Sequence, residues 1–179
     1  AAGPFEADLA RLNAVRDAIG DARLRIDANG GWAIDAAPRH LERLADLEIE
    51  FVEEPVSGLD ALAVVRAASP IPLAVDESIA TPEDLDRAIS LASADVVVLK
   101  PSAMGGPLAT AAAARTASEA GLTVVVTSLL EGSIGIGAAA HLASALGALD
   151  PAPGLATAGL LHTDNAPSLL PRHGVLHLD

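Results

Sequence analysis

Three carboxylates and one lysine close four successive apolar runs. Asp27 follows Leu24-Arg25-Ile26, Glu53 follows Glu50-Phe51-Val52, Asp76 follows Pro72-Leu73-Ala74-Val75, and Lys100 follows Asp95-Val96-Val97-Val98-Leu99. If the runs are neighbouring strands, their ends converge, and three unpaired negative charges on one rim repel unless a cation joins them. Oxygen donors select a hard divalent ion, Mg²⁺ before Mn²⁺, with coordination positions left for water and a substrate oxygen. The chain has no cysteine, so thiolate ligands are excluded.

The competing use of an acid after a strand is to cap the next helix. Here Asp35 and Thr81 are expected to cap those helices, which leaves Asp27 and Asp76 for the ion. Glu54 and Glu77 alternate to the other side of an extended chain and are expected to make loop contacts around the trio. Lys100 has two readings, a solvated charge ending an apolar strand or a catalytic cation or base. None of the histidines is assigned to the metal: His141 falls within an apolar helix, and His162, His173 and His177 crowd the tail.

The elements that must carry these residues alternate. Phe5, Leu9, Leu12, Val15 and Ile19 recur at helical spacing and Gly20 follows as a stop. The strand ending at Asp27 precedes a helix through Leu41, Leu44 and Leu47, and the pattern repeats, with helices near 59–68, from Pro82, from Pro107 to Gly121 and over 134–146. Strands are expected at 50–53, 72–76, 95–100 and 123–127, with a weaker one at 154–161. Apolar strands alternating with helices, without a dinucleotide glycine fingerprint, predict a parallel α/β sheet, specifically a partial TIM-type barrel of about six βα units. A closed barrel needs eight, so two strands are expected ahead of Ala1.

Four segments carry a resemblance. Asp27-Ala28-Asn29-Gly30, Val52-Glu53-Glu54-Pro55, Val75-Asp76-Glu77-Ser78 and Val98-Leu99-Lys100-Pro101 resemble, in order and spacing, the barrel signatures of the enolase superfamily in its muconate-cycloisomerase-like branch. The resemblance implies that residues 1–179 are the C-terminal part of that family's barrel domain, without its first two strands and N-terminal capping domain. It also implies that Asp27, Glu53 and Asp76 bind Mg²⁺, and that a small carboxylate substrate loses its α-proton to give a metal-stabilised enediolate. Lys100 matches the lysine of the sixth barrel strand, the catalytic residue of this chain. The family's other lysine would precede Ala1, so the chain alone is expected to be inactive.

The segment Thr127-Ser128-Leu129-Leu130-Glu131-Gly132-Ser133 resembles the seventh strand of both muconate cycloisomerases and o-succinylbenzoate synthases. Asn29, Ser128, Glu131, Gly132 and Ser133 are the implied substrate contacts. The tail, from Gly154-Leu155-Ala156-Thr157 to Thr163-Asp164-Asn165-Ala166-Pro167-Ser168, is similar to that of some o-succinylbenzoate synthases. That branch implies a lyase dehydrating a cyclohexadiene carboxylate in menaquinone biosynthesis. The alternatives are a cycloisomerase, racemase or epimerase of the same superfamily, a Schiff-base aldolase using Lys100, and an inactive barrel fragment.

Composition removes other classes. Twenty-four acidic against eleven basic residues give a formal charge of -13, the wrong sign for a phosphate backbone, so no nucleic-acid partner is expected. No apolar run reaches the length that spans a bilayer and the start lacks a basic leader, so a membrane partner is not expected and a cytoplasmic location is. An open barrel would expose sheet edges at the strand ending in Asp27 and near Gly154, which invites edge-pairing or a homo-oligomer.

Overall fold

A computed structural model describes residues 4–164 and 166–178. The fold is α/β: among the described residues five strands alternate with six α-helices, the βα repeat of a partial TIM-type barrel. The chain divides into two compact units, Ala1–Ile79 with Glu83–Val96, and Ala80–Pro82 with Val97–Asp179.

The first unit runs α1 (Phe5–Ile19), β1 (Leu24–Asp27), α2 (Ala37–Leu44), a 3-10 turn (Ala45–Leu47), β2 (Ile49–Glu53), α3 (Leu59–Arg66), β3 (Leu73–Val75) and α4 (Pro82–Leu91). β1 pairs in parallel with β2, and β2 in parallel with β3. Helices cover the strands because each turns a regularly spaced apolar stripe inward: Ala37, Leu41 and Leu44 from α2, Leu59, Leu62 and Val65 from α3, Leu85 and Ala88 from α4. Leu41, Leu44, Leu62 and Leu73 are completely buried, each worth about 1.5–3 kcal/mol of transfer free energy. β3 is buried along its whole length, as a parallel strand covered on both faces should be.

α1 follows its expected bounds, but its apolar stripe is only half-covered and none of its residues is fully buried. Arg16 anchors it, donating from Nε to Leu47 O at 2.9 Å and from its Nη atoms to the carbonyls of Gly20, Ala22 and Glu48. The start of α2 departs from expectation. Asp35 is not its cap: Ala36 takes that position with helical φ and ψ and no side-chain bond. A preceding turn does the work instead, with Ala33 O accepting from Ala36 N and Ala37 N.

The second unit holds β4 (Val96–Leu99, which enters this unit at Val97), α5 (Pro107–Glu119), β5 (Thr123–Val126), α6 (Ser133–Leu146) and a 3-10 turn (Thr157–Leu160). All of β4 is buried. Val126, Ile136, Ala139, Ala140, Ala143, Leu155 and Ala158 form one core, in which small residues let α6 approach closely. The weak strand expected at 154–161 is reduced to one parallel bridge, Gly154 with Thr127. From Thr157 the chain coils into the 3-10 turn, with the Thr157 hydroxyl donating to Leu129 O at 2.8 Å. Among the described residues no helix is long and apolar enough to cross a membrane.

Candidate metal centre

The first unit brings the three expected ligands to three adjacent strand ends. Asp27 and Glu53 are register partners across β1 and β2. Glu53 is paired in turn with Ala74 of β3, two residues before Asp76. Adjacent parallel strands lie about 4.8 Å apart, so the backbone carries these carboxylates to one end of one three-stranded ladder. Asp27 is exposed, Glu53 half-buried and Asp76 buried.

The side chains themselves are not gathered. Among the described residues no group of three or more His, Asp or Glu side chains is arranged around a common point suited to a metal ion. Asp27 is turned toward its own loop, where Oδ1 accepts from Asn29 N at 2.7 Å. The donor chemistry and the strand register suit a hard divalent cation, while among the described residues the side chains as placed form no such cluster.

The loops at the expected ligands are latched to one another. After β1, Asn29 and Gly30 adopt positive φ, which lets Gly30 N donate to Glu54 O at 2.6 Å, while Ala28 N donates to Glu53 O and Trp32 N to Pro55 O. Asn29 Nδ2 donates to Glu77 Oε1 at 2.9 Å, so the amide expected to meet substrate is bonded to a neighbouring loop. After β2, Glu54 is only 2% exposed and has φ 38°, a left-handed conformation that costs a non-glycine residue on the order of 1–2 kcal/mol. Its Oε2 accepts from Asp76 N at 2.9 Å and its Oε1 from the Ser78 hydroxyl. Both Glu54 and Glu77 thus make loop contacts, as expected, but from positions past the ends of β2 and β3 rather than by strand alternation.

The second unit holds the remaining expected residues. Lys100 follows β4, half-buried, its carbonyl closing the turn by accepting from Ala103 N and Met104 N. In the loop between β5 and α6, Glu131 is half-buried, with Oε1 accepting from Leu129 N at 3.0 Å and Oε2 from Ser102 Oγ at 2.7 Å. A side chain at Gly135 would put Cβ 2.0 Å from Glu131 Oε2, so this glycine makes room for the carboxylate. Gly132 precedes α6 and is half-buried.

Ser128 and Ser133, expected substrate contacts of this segment, are bonded within the chain. Both are buried and their hydroxyls bond the tail. Ser128 Oγ meets Thr157 Oγ1 at 2.9 Å, and Ser133 Oγ donates to Asp164 Oδ2 at 2.7 Å while accepting from Leu169 N. Asp164 Oδ2 also accepts from Ser133 N at 2.9 Å, capping α6 from 31 residues away. Thr157 and Asp164 fall within the tail motif quoted from the sequence, which assigned neither of them a role. Asn165 of the tail motif lies outside the described residues.

Comparison with known proteins agrees with the fold. The profile of the family described as enolase C-terminal domain-like matches residues 1–179. The o-succinylbenzoate synthase of Thermobifida fusca is 49% identical over 171 residues, covering 94% of this chain and 53% of that protein. That of Mycolicibacterium smegmatis is 39% identical, covering 96% of this chain and 52% of the relative. Among solved structures, the muconate lactonizing enzyme of Pseudomonas putida superposes with a TM-score of 0.93 at 31% identity, covering 99% of this chain and 51% of that one. The chain spans about half the length of the curated relatives it matches.

Proposed function

The chain belongs to the enolase C-terminal domain-like family, and on that premise we propose that residues 1–179 are the C-terminal part of the barrel domain of a Mg²⁺-dependent o-succinylbenzoate synthase. The observation that carries the assignment is the 49% identity to the Thermobifida fusca synthase over 94% of this chain. The reaction is a dehydration in which a proton leaves the carbon α to a carboxylate, hydroxide leaves the β carbon, and an aromatic ring results. The proposed setting is cytoplasmic menaquinone biosynthesis.

Asp27, Glu53 and Asp76 would hold the cation, Mg²⁺ or Mn²⁺; when bound, it supplies Lewis-acid stabilisation of negative charge on the substrate carboxylate. For Lys100 of the second unit the family resemblance implies a catalytic role, opposing developing negative charge or moving a proton. Asn29 of the first unit, and Glu131 and Gly132 of the second, are the implied substrate contacts. Ser128 and Ser133 serve the β5–α6 loop by fastening it to the tail.

The test is an assay of the polypeptide containing this chain on a hydroxycyclohexadiene carboxylate, followed by aromatic absorbance. Turnover should disappear with a chelator and return with Mg²⁺. Turnover that survives metal removal contradicts the assignment. A second reading, a cycloisomerase, rests on the structural likeness to muconate lactonizing enzyme, and a panel of muconate, dipeptide and cyclohexadiene substrates separates the two.

A further inference from the structure

Glu54 stands apart from every other acidic side chain of the first unit. It is among the largest fully buried side chains and the only acidic one of that set. It follows directly on β2, which ends at Glu53, and no cation is among its described bonds. From the loop after β2 its bonds reach the loop after β1, strand β3 and the loop after β3. Its carbonyl receives Gly30 N from the Asp27 loop, and its own N–H reaches Ala74 O of β3. Its carboxylate receives Asp76 N and the Ser78 hydroxyl from the Asp76 loop. Ser78 Oγ in turn accepts from Gly58 N at 3.2 Å, returning the connection to the β2–α3 loop.

We propose that Glu54 is a positioning residue of the metal centre: it fixes the spacing of Asp27, Glu53 and Asp76 by clamping the three loops that carry them, and thereby sets cation affinity. The inference rests on the assignment of those three carboxylates as metal ligands. Two acceptor oxygens on one planar group suit the task, since one holds the Asp76 backbone and the other the Ser78 hydroxyl. A buried carboxylate that receives two donors is held more firmly than a neutral acceptor would be. The positive φ at Glu54 supports the same reading, because a strained backbone conformation persists only where its surroundings over-determine it. Groups that orient metal ligands without touching the metal typically change affinity 10- to 100-fold when removed.

The experiment is Mn²⁺ binding to the 179-residue chain, read as loss of the free-ion paramagnetic resonance signal, for the wild type and for Asp27→Asn, Glu54→Leu, Glu54→Gln and Ser78→Ala. Glu54→Leu keeps the volume and removes both acceptors, so affinity per folded molecule should fall about 10- to 100-fold. Glu54→Gln retains one acceptor for Asp76 N and should stay within about threefold of wild type, a conservative rescue that a general loss of stability would not show. Ser78→Ala removes one arm of the clamp and should fall between them, which keeps the proposal testable if Glu54→Leu does not fold. Wild type that binds no Mn²⁺, or Asp27→Asn that binds as tightly as wild type, overturns the ligand assignment and the inference with it. Weakening by Asp27→Asn with unchanged affinity in Glu54→Leu or Ser78→Ala overturns the inference alone.

Discussion

Asp27 and Glu53 are register partners at the ends of two parallel strands. Two carboxylates at neighbouring strand ends repel, by about 1 kcal/mol or less where water reaches them. Asp27→Asn should therefore raise the urea midpoint of the metal-free chain slightly, while abolishing most of the midpoint increase that Mg²⁺ gives the wild type. Equal Mg²⁺ stabilisation of both proteins would show that Asp27 is not a ligand.

Ser133 ties α6 to the tail through Asp164 and Leu169. Ser133→Ala leaves the Leu169 N–H without its acceptor, at a cost of about 1–3 kcal/mol. Denaturant titration should show that loss, and limited proteolysis should cut first within the tail. A midpoint unchanged from wild type would mean that the tail does not depend on this hydroxyl.

Gly135→Ala tests the space reserved for Glu131. The atom in the way is the tip of a flexible side chain, so stability should change by less than about 1 kcal/mol as Glu131 swings aside. Its bonds to Ser102 and Leu129 are lost with that movement. The expected pattern is near-normal folding with turnover of the parent enzyme reduced at least tenfold. Undiminished turnover would remove Glu131 from the substrate-orienting group.

His40 makes the docking of α1 pH-sensitive. Its ring stacks on Phe5 at 3.8 Å and meets the edge of Trp32, and its Nδ1 is buried without a hydrogen-bond partner. Burial, then the charges of Arg43 and Arg39, hold its pKa below the ordinary 6.5, with Glu6 opposing weakly. A depressed histidine favours the neutral form in the folded state, so its contribution is complete above pH 6.5 and is lost as pH falls from there toward the folded value. Fluorescence of Trp32, the one tryptophan, should report loosening of α1 over that interval. His40→Phe should remove the dependence, and an identical pH profile in that variant would contradict it.

β1 bonds to β2 on one side, and among the described residues no strand pairs with its other edge. Beside that edge lies a cavity of about 370 Å³ lined by residues including Phe5, Leu12, Ile26 and Trp32. Such an edge pairs readily with a second copy. We expect concentration-dependent self-association in light scattering, reduced in Ile26→Lys because a charged edge resists pairing. A monodisperse monomer at all concentrations would refute this.

Much of the fold was legible because local rules suffice for it. The alternation of apolar runs with stripes such as Leu41-Leu44 and Leu59-Leu62-Val65 is a property of spacing, and the helices and strands appeared within a few residues of their expected places. Asp35 and the 154–161 segment were misread because a backbone turn at Ala33 and a 3-10 turn from Thr157 are choices made among neighbours, which residue preference does not encode. The tail bonds of Ser128 and Ser133 were not legible for the same reason: their partners lie 29 and 31 residues away, and spacing along the chain does not encode them.

Residue order alone determined the chemistry available here: oxygen ligands and no thiolates, a lysine on the next strand, and a βα rhythm that sends Asp27, Glu53 and Asp76 to strand ends. Tertiary structure alone decided how those ends are held. Glu54 and Glu53 are adjacent and chemically identical, yet strand pairing and a left-handed backbone leave one half-exposed at the rim and bury the other as a clamp. That division follows from desolvation, since a carboxylate can be buried only where donors are supplied from other loops, and chain folding alone brings those donors to it.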